Sequence, residues 1–319
     1  MRRAAGTAVV KLDPAKFHDP LVTAKGERRA AVAFAGLETL WFNTGTLCNI
    51  TCTRCYIESS PRNARLAYLT AAEVEAYLDE VAGAGMPTAE LGFTGGEPFM
   101  NRDLLAMIES GLARGFRVLV LTNAMRPMQR LKRRLLELRA RHGQGLTIRV
   151  SLDHYDAPRH DEERGPGSFQ KTLDGLLWLV RNGFAVAVAG RTLWGESEVA
   201  LRRGFGALFA AQAIPLDATD RMQLVLFPEM DATVDVPEIT DACWGILGVA
   251  PRSIMCASQR MVVKRQGAAR PSVVACTLLP YDERFELGAT LADSARPVAL
   301  NHPHCARFCV LGGGSCSQA

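Results

Sequence analysis

From Glu38 to about residue 247 the chain alternates short, almost wholly apolar runs with longer segments whose apolar residues recur every three or four positions. The short runs predict strands over Glu38–Asn43, Thr88–Thr94, Phe116–Thr122, Leu146–Leu152, Phe184–Arg191 and Met222–Phe227. The periodic segments predict helices over Thr70–Gly83, Arg102–Gly115, Pro127–His142, Ser168–Gly183, Glu198–Ala213 and Pro237–Leu247. Thr70, followed by Glu73, has the form of a capping box, and Ser168 is expected to cap its own helix. Six apolar strands alternating with helices argue an α/β fold with a parallel sheet covered by helices. A full eight-fold barrel needs more chain, so the expected architecture is a partial (β/α)6 TIM-like barrel.

The flanks differ. Residues 1–37 are basic and polar without a clear period, an irregular leader. At this length it is not expected to form a separate peptide-binding domain in front of the barrel. After Leu247, Ser253–Cys276 has the pattern of a hairpin around Gly267, and the tail from His302 is rich in cysteine and glycine. The expected divisions are 1–37, 38–250 and 251–319, with no internal repeat or low-complexity linker.

Composition narrows the classes. Of 319 residues, 48% are hydrophobic and 22% charged, ample for a buried core. A net charge of +4 gives no argument for nucleic acid, although it tolerates an acidic substrate or electron donor. The N-terminus lacks the apolar run of a signal peptide, and no stretch approaches the ~18 apolar residues of a membrane span. A soluble, cytoplasmic protein is expected. Nine cysteines without an export signal point to metal or redox roles rather than disulfides.

Three of them, Cys48, Cys52 and Cys55, stand at C-x3-C-x2-C spacing directly after the first predicted strand. Thiolates are the usual ligands of iron–sulfur clusters, and three leave one iron of a [4Fe–4S] cube open, which favours chemistry over structure. A zinc knuckle would also explain three close cysteines. Ligands of parallel α/β sheets sit beyond the carboxyl ends of the strands. There, after the second strand, stand Gly95, Gly96, Glu97 and Pro98, with Glu97 an acceptor suited to an ammonium; alone, this could be an ordinary turn. Asn123 ends the third strand, as a polar contact or a simple cap. Ser151 and Asp153 end the fourth, with Arg164 further on. Arg191 and Glu229, at the ends of the fifth and sixth strands, are candidate substrate contacts, though strand ends also carry solvated charges.

Together, the three-cysteine loop and Gly-Gly-Glu-Pro resemble the signature of the radical S-adenosylmethionine (radical SAM) enzymes over roughly residues 38–250. The resemblance implies a [4Fe–4S] cluster on Cys48, Cys52 and Cys55 whose open iron is chelated by SAM. One electron then cleaves the sulfonium to a 5′-deoxyadenosyl radical, which takes a hydrogen atom from substrate. It further implies that Gly95–Pro98 bind the methionyl amino group. Ser151-x-Asp153 and His160-Asp161-x-x-Arg164 resemble the pattern of family members with a SPASM or twitch extension, in which the serine and arginine hold the ribose and carboxylate. Two positions depart from the family pattern. His154 stands where glycine is common, and Arg54 where an aromatic residue often precedes the third cysteine. Tyr56 follows that cysteine and is placed beside adenine.

Cys256, Cys276, Cys305, Cys309 and Cys316 resemble the split ligation of an auxiliary cluster, which makes the C-terminal part an iron–sulfur extension. Their spacing matches neither consensus. Five thiols suffice for one second [4Fe–4S] cluster but not two, and a four-thiolate zinc site competes. Cys243 falls in a predicted amphipathic helix as an apolar residue. The resemblance implies oxidation, rearrangement or cross-linking of a small molecule or peptide, with flavodoxin or ferredoxin as electron donor. A non-enzymatic iron–sulfur carrier or redox sensor would need neither Gly95–Pro98 nor Arg164. A zinc-stabilised binding protein would need no iron.

Overall fold

The computed structural model describes residues 10–314, so Cys316 lies outside the described residues. Among the described residues eleven strands are formed: β1 Ala31–Val32, β2 Thr39–Asn43, β3 Glu90–Thr94, β4 Arg117–Thr122, β5 Leu146–Ser151, β6 Ala185–Arg191, β7 Leu224–Phe227, β8 Gln259–Val263, β9 Ser272–Val274, β10 Glu286–Gly288 and β11 Val298–Ala299. The α-helices are α1 Ala71–Gly83, α2 Leu104–Ala113, α3 Arg126–Gln129, α4 Lys132–His142, α5 Ala157–Arg164, α6 Ser168–Arg181, α7 Glu198–Ala211 and α8 Cys243–Leu247. Among the described residues none is long and apolar enough to cross a membrane.

Strands β2 to β7 lie side by side in chain order, all parallel, with intervening helices, which is the partial barrel expected. The alternation of side chains sorts each strand into two faces. Leu40, Phe42, Leu91, Phe93, Val118, Val120, Ile148 and Val150 pack against the helices. Trp41 and Leu119 point the other way, into a second core built largely from C-terminal residues such as Met261, Val263 and Phe308. Trp41 is fully buried there, and a Cβ at Gly92 on the neighbouring strand would stand 2.2 Å from its ring. Only glycine leaves room for the indole.

The predicted hairpin forms as β8 and β9, but β8 also pairs in parallel with β2, so the main sheet runs on unbroken past residue 250. The leader is pinned as well. β1 pairs with β11, and the buried Arg29 donates to the Asp19 and Val22 carbonyls and to Glu238 at 2.5 Å.

Local differences have local causes. The Thr70–Glu73 capping box forms as expected. The helix predicted over Pro127–His142 is two, separated where Leu131 N–H donates to Met128 O in a tighter turn. Gly167, not Ser168, is the N-cap of α6. The Asp161 carboxylate caps that helix from outside, accepting from Gly167 N, Phe169 N and the Ser168 hydroxyl. Of Pro237–Leu247 only Cys243–Leu247 is helical, because Ile239 O and the Glu238 carboxylate serve the extended leader. Helix α5 falls in a stretch that carries no apolar period.

Candidate active site

Cys48, Cys52 and Cys55 follow β2 and line one cavity of about 1120 Å³, counted to its open mouth. Main-chain and side-chain contacts hold the loop independently of the thiols. Cys48 N–H donates to Ser60 O at 3.1 Å, and Thr46 Oγ1 accepts from Leu66 N. The C-terminal part adds Tyr281, whose hydroxyl donates to Ile57 O at 2.8 Å while Arg65 stacks on its ring. Gly95 and Gly96 also line the cavity. Their backbone runs against the cysteine loop, with Gly96 N–H to Gly45 O at 2.8 Å and Glu97 N–H to Leu47 O at 3.1 Å. Gly95 has φ 142°, and a Cβ on Gly96 would lie 2.3 Å from Leu47 O. The glycines are therefore needed first for loop-on-loop packing.

Glu97 and Pro98 stand behind that wall rather than on it. Glu97 is 1% exposed and accepts from the Thr122 hydroxyl (2.8 Å), Asn123 N (2.9 Å) and Phe99 N (3.2 Å). Burial pushes its carboxyl up to about 7, against those hydrogen bonds. Asn123 lines the cavity, and its amide nitrogen donates to Asn49 Oδ1 at 2.9 Å with Cys48 Sγ at 3.9 Å. Glu97 thus sets the residue that backs the first cysteine.

Helix α5 carries His160, Glu163 and Arg164, whose i, i+3, i+4 spacing puts them on one side. Arg164 reaches the cavity and forms a two-pronged pair with Asp153, Nε–Oδ2 2.7 Å and Nη2–Oδ1 2.8 Å. Burial opposes ionisation of Asp153, but the Arg164 guanidinium outweighs it and holds the carboxyl below its usual range. His160 Nδ1 accepts from Asp153 N at 3.1 Å, and burial pushes the imidazole down to about 4, so it is neutral. Glu163, fully buried, pairs with Arg54, accepts from Arg54 N at 3.2 Å and lies 3.8 Å from Arg191. Arg54 therefore replaces the usual aromatic with an ionic anchor for the cysteine loop. Arg191 lines the cavity but donates to Arg54 O at 2.9 Å, and the half-exposed Glu229 lies 3.4 Å from Arg54 Nε. Both proposed substrate contacts thus belong to this charge network. Ser151 and Tyr56 line the cavity as well. His154, at the departure from the usual glycine, is buried and bonds Glu196 at 2.7 Å, tying the β5 exit to the loop before α7.

The sequence reading missed part of the lining. Arg149, 1% exposed, sits on the inner face of β5 between the helix-facing Ile148 and Val150. A charge at alternate register in an apolar strand was the available signal. Phe227, Met230, Leu278 and Phe308 supply an apolar wall, with Phe227 stacked on Phe308 at 5.6 Å. Leu278 is shared with a second, smaller cavity of about 340 Å³, counted to its open mouth, which Cys256, Cys276, Cys305 and Cys309 line. Cys243 is absent from both and contacts the Thr240 hydroxyl at 3.4 Å.

The donor sets fit iron–sulfur groups. Burial pushes the Cys48 thiol up to about 12, Cys256 to about 11, and Cys52 and Cys305 upward. Such thiols become thiolates when a metal coordinates them.

Residues 42–197 match the model of the Radical SAM superfamily. Over 274 residues, 80% of this chain and 58% of the relative, the chain is 27% identical to the antilisterial bacteriocin subtilosin biosynthesis protein AlbA of Bacillus subtilis (strain 168). It is 35% identical over 138 residues to the AdoMet-dependent heme synthase of Methanosarcina barkeri (strain Fusaro / DSM 804), 43% of this chain and 37% of that one. The chain thus spans less than two thirds of the length of these curated relatives. Two solved structures share the fold. Streptococcus suis SuiB bound to S-adenosylmethionine has a TM-score of 0.58 at 12% identity, covering 80% of this chain and 64% of that one. For anSMEcpe with bound AdoMet the TM-score is 0.57 at 13% identity, covering 81% and 77%. These matches make residues 42–197 a radical SAM domain, with the three-cysteine loop at the mouth of a partial barrel whose fold the two solved structures share.

Proposed function

We propose that this chain cleaves SAM reductively at a [4Fe–4S] cluster held by Cys48, Cys52 and Cys55, and abstracts a hydrogen atom from a peptide substrate in the same cavity. The observation that carries this is the convergence of the three thiols, Gly95–Gly96, Ser151 and Arg164 on one cavity at the strand ends. When bound, the cluster and SAM supply the electron and the 5′-deoxyadenosyl radical. The protein binds and orients. Asp153 commits Nε and Nη2 of Arg164, leaving Nη1 for the SAM carboxylate. Ser151 and Tyr56 lie within the same wall for ribose and adenine, and the apolar side around Phe227 and Phe308 excludes water from the substrate. A peptide is favoured because the match to AlbA, a bacteriocin biosynthesis protein, runs through 80% of the chain, whereas that to the heme synthase covers 43%. A flavodoxin or ferredoxin would supply the electron. Anaerobic iron and sulfide counts, followed by assay of 5′-deoxyadenosine with a chemical reductant, test the reading; a protein without iron, or without SAM cleavage, refutes it.

Glu97 gives a pH-dependent expectation. Glu97 sits behind the cavity wall and acts through Asn123, whose main-chain N–H it holds; the ionised carboxylate is the stronger acceptor and fixes that lining residue more firmly. SAM affinity should therefore rise as pH increases through about 7. Stability runs the other way. A carboxyl raised above 4.5 in the folded state makes the protein lose stability as pH rises from 4.5 to about 7. Glu97→Gln should flatten both profiles and weaken SAM binding about ten- to hundredfold at pH 8. Titration calorimetry at several pH values checks this; equal affinities at every pH would remove Glu97 from SAM binding.

The second cavity we assign to an auxiliary [4Fe–4S] cluster on Cys256, Cys276, Cys305 and Cys309. Cys276→Ala should lose about four irons while the cluster near SAM remains. Because metal would cross-link the β9 end to the π-helical segment Cys305–Val310, Cys305 and Cys309 should then become open to alkylation. Mass spectrometry after labelling reads this out. Full iron retention would exclude Cys276 as a ligand.

A further inference from the structure

Among the described residues the small cavity holds one polar side chain besides its four cysteines. His304 lines it, while its other lining side chains are apolar. The residue is 7% exposed, and its Nδ1 is buried without a hydrogen-bond partner. Its position is fixed from behind. His304 N–H donates to His302 Nδ1 at 3.0 Å, the two rings meet edge to face at 4.6 Å, and Cys305 follows directly. A buried polar nitrogen without a partner calls for one. A [4Fe–4S] cluster on the four cysteines would bring sulfur acceptors into this cavity.

We propose that His304 donates a hydrogen bond from Nδ1 to a sulfur of the auxiliary cluster and so raises its reduction potential. The inference rests on the auxiliary-cluster assignment above. Four thiolates already close a cubane, so the imidazole acts as a donor and not as a ligand. Reduction adds negative charge to the sulfurs, and a donor fixed against them stabilises the reduced form more than the oxidised one. A raised potential suits a cluster that accepts an electron from a substrate-derived radical.

The test uses the full chain with Cys48, Cys52 and Cys55 replaced by alanine, in which only the auxiliary cluster contributes spectra. His304→Phe keeps the bulk and removes the donor, whereas His304→Asn offers an amide N–H near the place of Nδ1. Redox titration followed by electron paramagnetic resonance should show the His304→Phe cluster about tenfold harder to reduce at a given poise, about 59 mV for one electron. His304→Asn should recover most of that shift. Proton resonance on the reduced cluster should also lose one exchangeable coupling in His304→Phe. An iron-loaded His304→Phe protein with unchanged potential and coupling would overturn the inference and leave the cluster standing. Iron loss from both His304 variants would also overturn it, making the histidine a ligand or a packing residue. Absence of iron from the starting triple variant would instead overturn the cluster assignment itself.

Discussion

Replacing Cys48, Cys52 and Cys55 together by alanine should remove about four irons per chain and abolish 5′-deoxyadenosine formation, while the auxiliary iron stays. The loop should keep its place, because Ser60 O, Leu66 N and Tyr281 hold it through groups other than the thiols. The barrel should keep its melting profile, since its core is the helix-facing set around Phe42, Phe93 and Ile148. Iron and sulfide counts, with chromatographic assay of deoxyadenosine, read the two losses separately. Reductive SAM cleavage by the triple variant would sink the central assignment.

Asp153→Ala should be the most damaging single change to stability near the site. It leaves Arg164 charged and deprived of both its hydrogen bonds. Breaking a buried pair by removing one partner costs about 3–5 kcal/mol, whereas removing both with apolar side chains can cost little. Asp153→Leu with Arg164→Met should therefore recover much of the urea stability that Asp153→Ala loses, yet bind SAM no better. The pH dependence follows from the sign of the shift. Asp153 is held below 3.8 in the folded protein, so its contribution is present above that value and lost as pH falls through the folded value. The wild type should thus lose more stability in acid than the Asp153→Ala variant does. Equal urea midpoints for wild type and Asp153→Ala at pH 7 would show that the pair carries no stability.

Where burial is apolar, the sequence announced the structure. The strands from Thr39 to Phe227, the Thr70 cap and the hairpin around Gly267 all follow from hydrophobic period and turn chemistry. Helix α5 did not, because the face it buries is ionic, with His160 and Glu163 inward in place of leucines. The Arg164 motif was legible while the helix that aims it was not. Residues of the three-cysteine loop lie close in sequence and were visible at once. That Cys256, Cys276, Cys305 and Cys309 line one cavity depends on β9 and the π-helical segment Cys305–Val310 packing across one core, which no local pattern records. Arg54 looked like a departure from the family pattern. Its meaning appears only with Glu163, brought from the segment after β5, three strands along the sheet.

The pairing of β1 with β11 has a kinetic consequence. Arg29 and Leu300 approach to 3.4 Å across a sequence separation of 271 residues, and Tyr281 reaches back to Ile57 across 224. Contacts so distant along the chain raise contact order and slow folding. During synthesis the helices and strands up to β7 can assemble as they emerge, at about 5–20 residues per second. The leader and the far side of the cysteine loop must wait until residues around 281 and 300 have left the ribosome. Until then the inner face bearing Trp41 and Leu119 lacks its C-terminal cover and is exposed to aggregation. Expression at lower temperature, or with chaperones that shield such a face, should therefore raise the yield of protein able to take up iron.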